Sequence, residues 1–106
     1  MQLAWIYLIL AALFEIGWPV GFKLSQTTGF RALFILVAVI AMAFSGFLLW
    51  MAQREIPIGT AYAVWTGIGA AGTFLIGIVF FGDPSSMMRW LSFALIVIGV
   101  IGLKMS

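Results

Sequence analysis

Hydrophobic residues run along the chain in four long blocks that are separated by short polar connectors. The blocks cover residues 3–22, 32–51, 58–81 and 87–105. A helix needs about 20 mostly apolar residues to cross the hydrocarbon of a bilayer, and each block has roughly that length. Pro57 and the Gly82-Asp83-Pro84 turn are helix breakers. The pattern therefore predicts four transmembrane helices in a single domain over residues 1–106, with both termini on one side of the membrane.

The composition indicates an all-α membrane protein and excludes several classes of function. Hydrophobic residues make up 65% of the 106 residues and charged residues 8%, whereas a soluble domain carries about 25% charged residues. The chain has no Cys and no His, which excludes thiolate metal sites and imidazole catalysis. We therefore expect no metal, no cofactor and no enzymatic activity. The basic residues stand singly, so no nucleic-acid surface is predicted.

The basic residues that set membrane orientation are almost balanced between the two sides. One predicted side holds Arg54 and Lys104, and the other holds Lys23, Arg31 and Arg89. Orientation follows the excess of Lys and Arg in short loops, and here that excess is a single residue. Either this one charge or a partner decides the orientation, or copies insert both ways and pair head to tail. Inverted pairing is one way in which transporters build access from both sides around a midplane site.

Glu15 is the ionisable residue that the pattern places inside hydrocarbon. An ionised side chain at the centre of a membrane helix costs about 3 kcal/mol or more. The nearest base along the helix is Lys23, about 12 Å away at 1.5 Å per residue. A salt bridge to a buried base and a permanently neutral acid are the two structural interpretations. We favour a third, in which the partner of Glu15 comes and goes and is either a proton or a cation.

Polar and aromatic residues on the first three helices fit a small-cation site around Glu15. Trp18 shares a helix face with the acid and offers an indole N–H to it. Ser45 lies near the centre of the second helix, and Tyr62 and Trp65 share a face of the third. Aromatic faces attract desolvated cations. Each residue also has an ordinary interpretation, which for Tyr62 is the aromatic belt at the membrane surface.

Competition between a proton and a cation for one carboxylate suggests a transport mechanism. If only the occupied states change access, this competition is proton-coupled antiport. A passive cation channel and an assembly subunit are the alternatives from other classes. Four short helices could hardly enclose a polar cavity alone, which favours a dimer.

Small residues mark two helix surfaces for close packing. Gly67 and Gly69 belong to a run of small residues on the third helix, where they allow close helix approach or a bend. Ser92 and Gly99 are seven residues apart on the fourth helix and suit pairing with a second copy.

Together these residues resemble the small multidrug resistance family of bacterial exporters over essentially the whole chain. The family pattern is four short helices, one acid in the first, and the signature that stands here as GTAYAVWTGIG over residues 59–69. Residues 92–100 resemble its dimerisation motif, with Ser92 where Gly is often found. The resemblance implies an antiparallel, dual-topology homodimer in the bacterial inner membrane that exchanges protons for cations. A heterodimer with a second, inverted chain stays open.

Trp18 stands three residues after the acid, and in this respect the chain resembles the guanidinium-exporter subtype of that family. The subtype implies that Glu15 binds the substrate, that Trp18 and Ser45 orient it, and that Tyr62 and Trp65 belong to the same site. Guanidinium is a planar fork of N–H donors that matches a carboxylate with two hydrogen bonds. The alternative within the family is an exporter of quaternary ammonium or other drug cations.

Pro19 departs from the family pattern, because a residue other than proline is expected directly after Trp18. Proline has no N–H, so the Glu15 carbonyl loses its donor within the helix. The result is either a tolerated kink or a backbone acceptor that helps to shape the site.

Overall fold

The computed structural model describes residues 2–106 as four long α-helices joined by short connectors. They are α1 (Gln2–Thr27), α2 (Arg31–Ala52), α3 (Ile58–Phe81) and α4 (Met87–Met105). All four are long and apolar enough to cross a membrane. Helix α1 continues beyond the first apolar block, and its polar last turn binds its own backbone. There the hydroxyl of Thr27 donates to the Lys23 carbonyl, and the hydroxyl of Thr28, directly after the helix, donates to the Leu24 carbonyl.

Local turn chemistry joins α3 to α4 in a tight connection. Helix α3 ends at Gly82, whose φ of 68° lies in the left-handed region that glycine adopts without strain. The N–H of Asp83 then donates to the Gly77 carbonyl at 3.0 Å, which satisfies a terminal acceptor of α3. Helix α4 begins after Ser86, whose hydroxyl accepts from the Arg89 N–H at 3.3 Å and caps the first turn. These caps place α3 and α4 side by side.

Helix α1 occupies the centre of a flat assembly. It packs against α2 on one side and α3 on the other, whereas α4 packs against α3. The chain measures 43 × 34 × 17 Å along its principal axes. Because α1 and α3 run in the same direction, positions at equal height along them face each other over several turns.

Small residues allow α1 and α2 to approach closely. A Cβ added at Gly17 would lie 3.2 Å from the Cβ of Ala41, and one at Gly21 would lie 3.1 Å from the Cβ of Ala38. Association of helices in lipid depends on such packing, because lipid tails are as apolar as the side chains themselves. Glycine at both positions therefore fixes α2 against the half of α1 that carries Glu15.

Large apolar side chains cover the outside of the chain. A small core around Leu8 and Val64 is fully enclosed, but no residue of α4 is buried in the single chain. Val79 and Phe80 are 68% and 76% exposed. Water cannot favourably solvate such a surface, and together with the four spans this gives a multi-pass membrane protein.

Candidate functional site

The Glu15 carboxylate lies half-buried in the middle of α1 and is bound by Trp18. The indole N–H of Trp18 donates to Oε1 of Glu15 at 2.6 Å. The two residues are one helical turn apart, so the helix itself brings their side chains together. The Trp18 ring also packs edge-on against Phe22, with centroids 5.7 Å apart. This contact holds the indole and therefore the orientation of the carboxylate.

The second carboxylate oxygen of Glu15 has room for another partner. No donor to Oε2 and no ion pair of Glu15 occur in residues 2–106, and the oxygen is not sealed from the surface. An ionised carboxylate has about four lone-pair positions for donors. The group can therefore accept further N–H donors beside the Trp18 bond.

Ser45 connects three helices through two hydrogen bonds. Its hydroxyl is fully buried, donates to the Ala11 carbonyl at 2.7 Å and accepts from the Trp65 indole N–H at 2.8 Å. Ala11 is four residues before Glu15, so its carbonyl is also the helical acceptor for the Glu15 N–H. Ser45 and Trp65 thus contact the turn of α1 that carries the acid, rather than the carboxylate itself.

Tyr62 lies beside Trp65 on α3. The two ring centroids are 5.4 Å apart with planes tilted by 52°. Tyr62 is 56% exposed in the single chain, whereas Trp65 is half-buried. The pair forms a continuous aromatic surface, but nothing within the single chain covers its outer half.

Gly69 brings the backbone of α3 directly against the Glu15 side chain. A Cβ at position 69 would lie 2.6 Å from Cγ of Glu15. Gly72 makes the same kind of contact with Ile16, and Gly67 lies against Val100 of α4. The glycines therefore occupy close helix contacts, while a bend at Gly67 and Gly69 stays a prediction.

Ser92 and Gly99 lie on an open surface of α4. The Ser92 hydroxyl donates to the Met88 carbonyl of its own helix at 2.9 Å. Nothing lies within 4 Å of the position where Gly99 would carry a Cβ. Both residues are exposed in the single chain, on the helix that has no buried residue.

Two features of the site could not be taken from the sequence pattern. The contact between Gly69 and Glu15 depends on which face of α3 meets α1, and a glycine run does not name its partner helix. The Ala11 carbonyl carries no side-chain signal at all. A serine and a tryptophan in different apolar helices hint at a buried hydrogen bond, because each needs a partner in lipid.

Comparison with known proteins identifies relatives over almost the full length of the chain. The family model described as Small Multidrug Resistance protein matches residues 3–96. A protein of Yersinia pseudotuberculosis serotype I (strain IP32953) named guanidinium exporter is 50% identical over 105 residues. The alignment covers 98% of this chain and 99% of that protein.

Two further relatives carry the same name. The guanidinium exporter of Escherichia coli (strain K12) is 50% identical over 105 residues, which cover 98% of each chain. The guanidinium exporter of Proteus vulgaris is 47% identical over 105 residues, which cover 98% of this chain and 99% of that protein.

Proposed function

Because the chain belongs to the Small Multidrug Resistance protein family, we propose that it exports guanidinium and small guanidinyl cations in exchange for protons. The observation that carries the proposal is the half-buried Glu15 carboxylate with one oxygen bound by Trp18 and the other open. Relatives about 50% identical over nearly the whole chain are named guanidinium exporters, which supports the substrate class.

The geometry of the carboxylate suits a planar cation with several N–H donors. A guanidinium group can donate to both oxygens at once, and Oε1 has lone-pair capacity beyond the Trp18 bond. A tetraalkylammonium ion has no N–H and would leave these acceptors unpaired, which is costly away from water. We therefore assign Glu15 as the substrate-binding group and Trp18 as the residue that holds it in position.

Ser45 and Trp65 act through the helix that carries the acid. Their hydrogen bonds end at the Ala11 carbonyl, so they fix the height and rotation of the Glu15 turn relative to α2 and α3. Tyr62 extends the aromatic surface of Trp65 and supplies a ring face that a cation can contact.

Proton coupling follows from the chemistry of one carboxylate. When Glu15 takes up a proton, it loses its negative charge and turns one oxygen into a donor, so a guanidinium ion is no longer bound. Cation and proton consequently exclude each other. If only occupied sites change their access to the two sides, export of one cation is tied to the uptake of protons.

The exposed surface of α4 supports assembly into an antiparallel homodimer. Within residues 2–106, α4 packs along α3 and also reaches α1 where Lys104 lies 4.9 Å from the centroid of the Trp5 ring, and the Ser92–Gly99 surface lies open. Two copies in opposite orientations would bring two Glu15 residues to one cavity and offer the same route to each side of the bacterial inner membrane. A heterodimer with a related inverted chain would bury the same surface.

Transport measurements in proteoliposomes test the proposal. The wild-type protein should accumulate guanidinium against its gradient when a pH gradient is imposed, and tetraethylammonium should be a poor substrate. Glu15→Gln keeps the shape of the side chain but removes its charge, so it should abolish both guanidinium uptake and the associated proton flux. Coupled guanidinium transport by Glu15→Gln would overturn the proposal. A preference of the wild type for tetraethylammonium would show that the substrates are drug cations and not guanidinium.

A further inference from the structure

A partly open cavity with polar and apolar walls lies between α1 and α3, beyond the Glu15 layer. It has a volume of about 220 Å³ and is lined by polar groups of Lys23, Thr73 and Asp83 and by apolar side chains that include Pro19, Ile76 and Phe81. One water molecule takes up about 30 Å³ in the liquid. The cavity can therefore hold a small cation together with several waters.

The cavity begins one helical turn from the carboxylate. Gly69 of α3 contacts Glu15 of α1. Four residues further along each helix, Thr73 of α3 and Pro19 of α1 form the start of the cavity. Lys23 and Gly77 follow one turn later. At 1.5 Å per residue, the cavity extends from about 6 Å to about 12 Å beyond the Glu15 layer, towards the end of the molecule where α1 and α3 terminate.

Asp83 lies at the outer end of this cavity, where both its backbone and its carboxylate contact Gly77. Its N–H donates to the Gly77 carbonyl at 3.0 Å, and its carboxylate fills the place where a side chain at position 77 would lie. The carbonyl end of a helix carries partial negative charge, which disfavours a carboxylate and favours a cation there. Asp83 and the end of α3 thus form a negative locus inside the cavity.

The polar groups around this locus are available to a ligand. Lys23 and Asp83 line the same cavity without forming an ion pair, and within residues 2–106 the Thr73 hydroxyl makes no hydrogen bond. By contrast, Thr27, Thr28 and Thr66 all bind carbonyls of α1 or α3. The cavity therefore offers one carboxylate, one free hydroxyl and one ammonium group.

We propose that this cavity is a second, weaker binding site for the guanidinium group, on the route between Glu15 and the membrane surface. The inference rests on guanidinium export as the function of the chain. Asp83 and the Thr73 hydroxyl bind the cation after Glu15 releases it or before Glu15 captures it. The Lys23 ammonium lines the same cavity, and its positive charge weakens the binding of a cation at Asp83, so the site does not trap its substrate.

The test compares variants whose effects on transport have opposite signs. Guanidinium uptake is measured in vesicles of phosphatidylcholine and phosphatidylglycerol, and binding at Glu15 is followed separately by tryptophan fluorescence. Asp83→Asn should raise the KM for guanidinium about fivefold, the upper range for an exposed ionic contact. Lys23→Gln should lower the KM, because it removes a positive charge that opposes the binding of the cation. In both variants the Kd measured at Glu15 should stay within about twofold, the size of a weak, screened charge effect.

Two controls distinguish binding in this cavity from a general effect of surface charge and from binding at Glu15. Glu55→Gln neutralises an acid that does not line the cavity, and it should leave the KM unchanged. Trp18→Phe should remove most of the fluorescence response, which ties that signal to Glu15. The proposal is overturned if Asp83→Asn leaves the KM unchanged, or if the Asp83 and Lys23 variants shift it in the same direction. It is also overturned if Asp83→Asn acts only in vesicles that contain phosphatidylethanolamine, because the cavity would then bind a lipid headgroup.

The same measurements distinguish a failure of this proposal from a failure of guanidinium export. Coupled transport by Glu15→Gln would remove the function on which the inference rests. Loss of transport in Glu15→Gln together with a silent Asp83→Asn would remove only the second site.

Discussion

At the scale of single residues, Trp18 holds the Glu15 carboxylate through one hydrogen bond, and Trp18→Phe removes its N–H while keeping an aromatic ring. A hydrogen bond to a charged group contributes about 1.5–3 kcal/mol, and partial exposure of the pair reduces this. We expect guanidinium to bind about tenfold more weakly, which corresponds to about 1.4 kcal/mol. Equilibrium binding of radiolabelled guanidinium to the purified protein measures the change.

Trp50→Phe is the matched control for this prediction. Trp50 is 59% exposed on α2 and its ring lies under Arg54, 5.6 Å from the guanidinium carbon. It makes no contact with Glu15, so the affinity for guanidinium should not change. Equal affinities in the Trp18 and Trp50 variants would contradict a positioning role for Trp18.

Ser45 is expected to act on stability as much as on transport. Ser45→Ala removes a fully buried hydroxyl and leaves the N–H of the half-buried Trp65 without its acceptor. Hydrogen bonds between membrane helices contribute about 0.6–2 kcal/mol, so we expect a loss of about 1 kcal/mol in the free energy of unfolding. Denaturation by sodium dodecyl sulfate in mixed micelles measures this. Thr66→Ala removes an exposed hydroxyl that binds its own helix, and it should cost less.

Single residues also show what the sequence can predict about the site. Glu15 and Trp18 are three apart in one helix, so their contact follows from helix geometry alone. Ser45 and Trp65 were identified as polar residues in apolar spans, but their mutual hydrogen bond depends on the rotation of α2 against α3. The sequence pattern contains periodicity within each helix and no measure of that rotation.

At the scale of helices, the contact between α1 and α3 sets the space around the carboxylate. In Gly69→Ala the new Cβ would lie 2.6 Å from Cγ of Glu15, whereas ordinary contact begins at 3.4 Å, so the atoms must separate by about 0.8 Å. Misplacement of a functional group by about 1 Å can lower rates about a hundredfold. We expect a loss of that order in guanidinium transport from a protein that still folds.

Two glycine variants of the same helix serve as controls for Gly69→Ala. Gly59→Ala adds a Cβ with nothing within 4 Å and should leave transport intact. Gly72→Ala pushes α3 against Ile16 instead of Glu15, so it reports the effect of helix separation alone. If Gly72→Ala impairs transport as strongly as Gly69→Ala, the contact with the carboxylate is not the decisive one.

Pro19 is accommodated within a helix that continues to Thr27. Pro19→Ala would return a donor to the Glu15 carbonyl, and an interior proline costs a helix about 3 kcal/mol. Because the Pro19 ring lines the cavity beyond the acid and not the carboxylate itself, we expect higher stability with unchanged selectivity for guanidinium over tetraethylammonium. Thermal unfolding and competition uptake assays measure the two effects. A change in selectivity would assign Pro19 to the binding site around Glu15.

At the scale of the whole molecule, the near balance of basic residues predicts that orientation can be forced. Arg54→Ser leaves one basic residue on the side of Lys104 and three on the side of Lys23. The double change Arg31→Ser and Arg89→Ser leaves two on the side of Lys104 and one on the side of Lys23, which reverses the bias. In a dual-topology homodimer, each variant alone should be inactive and the two expressed together should transport guanidinium. Because the chain has no Cys, a cysteine added after Ser106 and an impermeant maleimide report the side on which each terminus lies.

Single-variant activity with uniform labelling from one side would exclude antiparallel pairing.

The four spans could be predicted from the length of each apolar block alone, because the thickness of the bilayer sets that length. The order of packing, with α1 between α2 and α3 and with α4 at the edge, could not be taken from those blocks. It depends on which glycines face which helix, as the pairs Gly17 with Ala41 and Gly67 with Val100 illustrate.

The peripheral position of α4 has a consequence for the cell that makes this protein. Helix α4 has no buried residue and packs mainly against α3, and the homodimer proposed above would form only when two chains meet in the membrane. When pairing is weak, the number of pairs follows the square of chain abundance by mass action. Halving expression would then leave about a quarter of the export capacity, and tolerance to guanidinium would depend steeply on gene dosage.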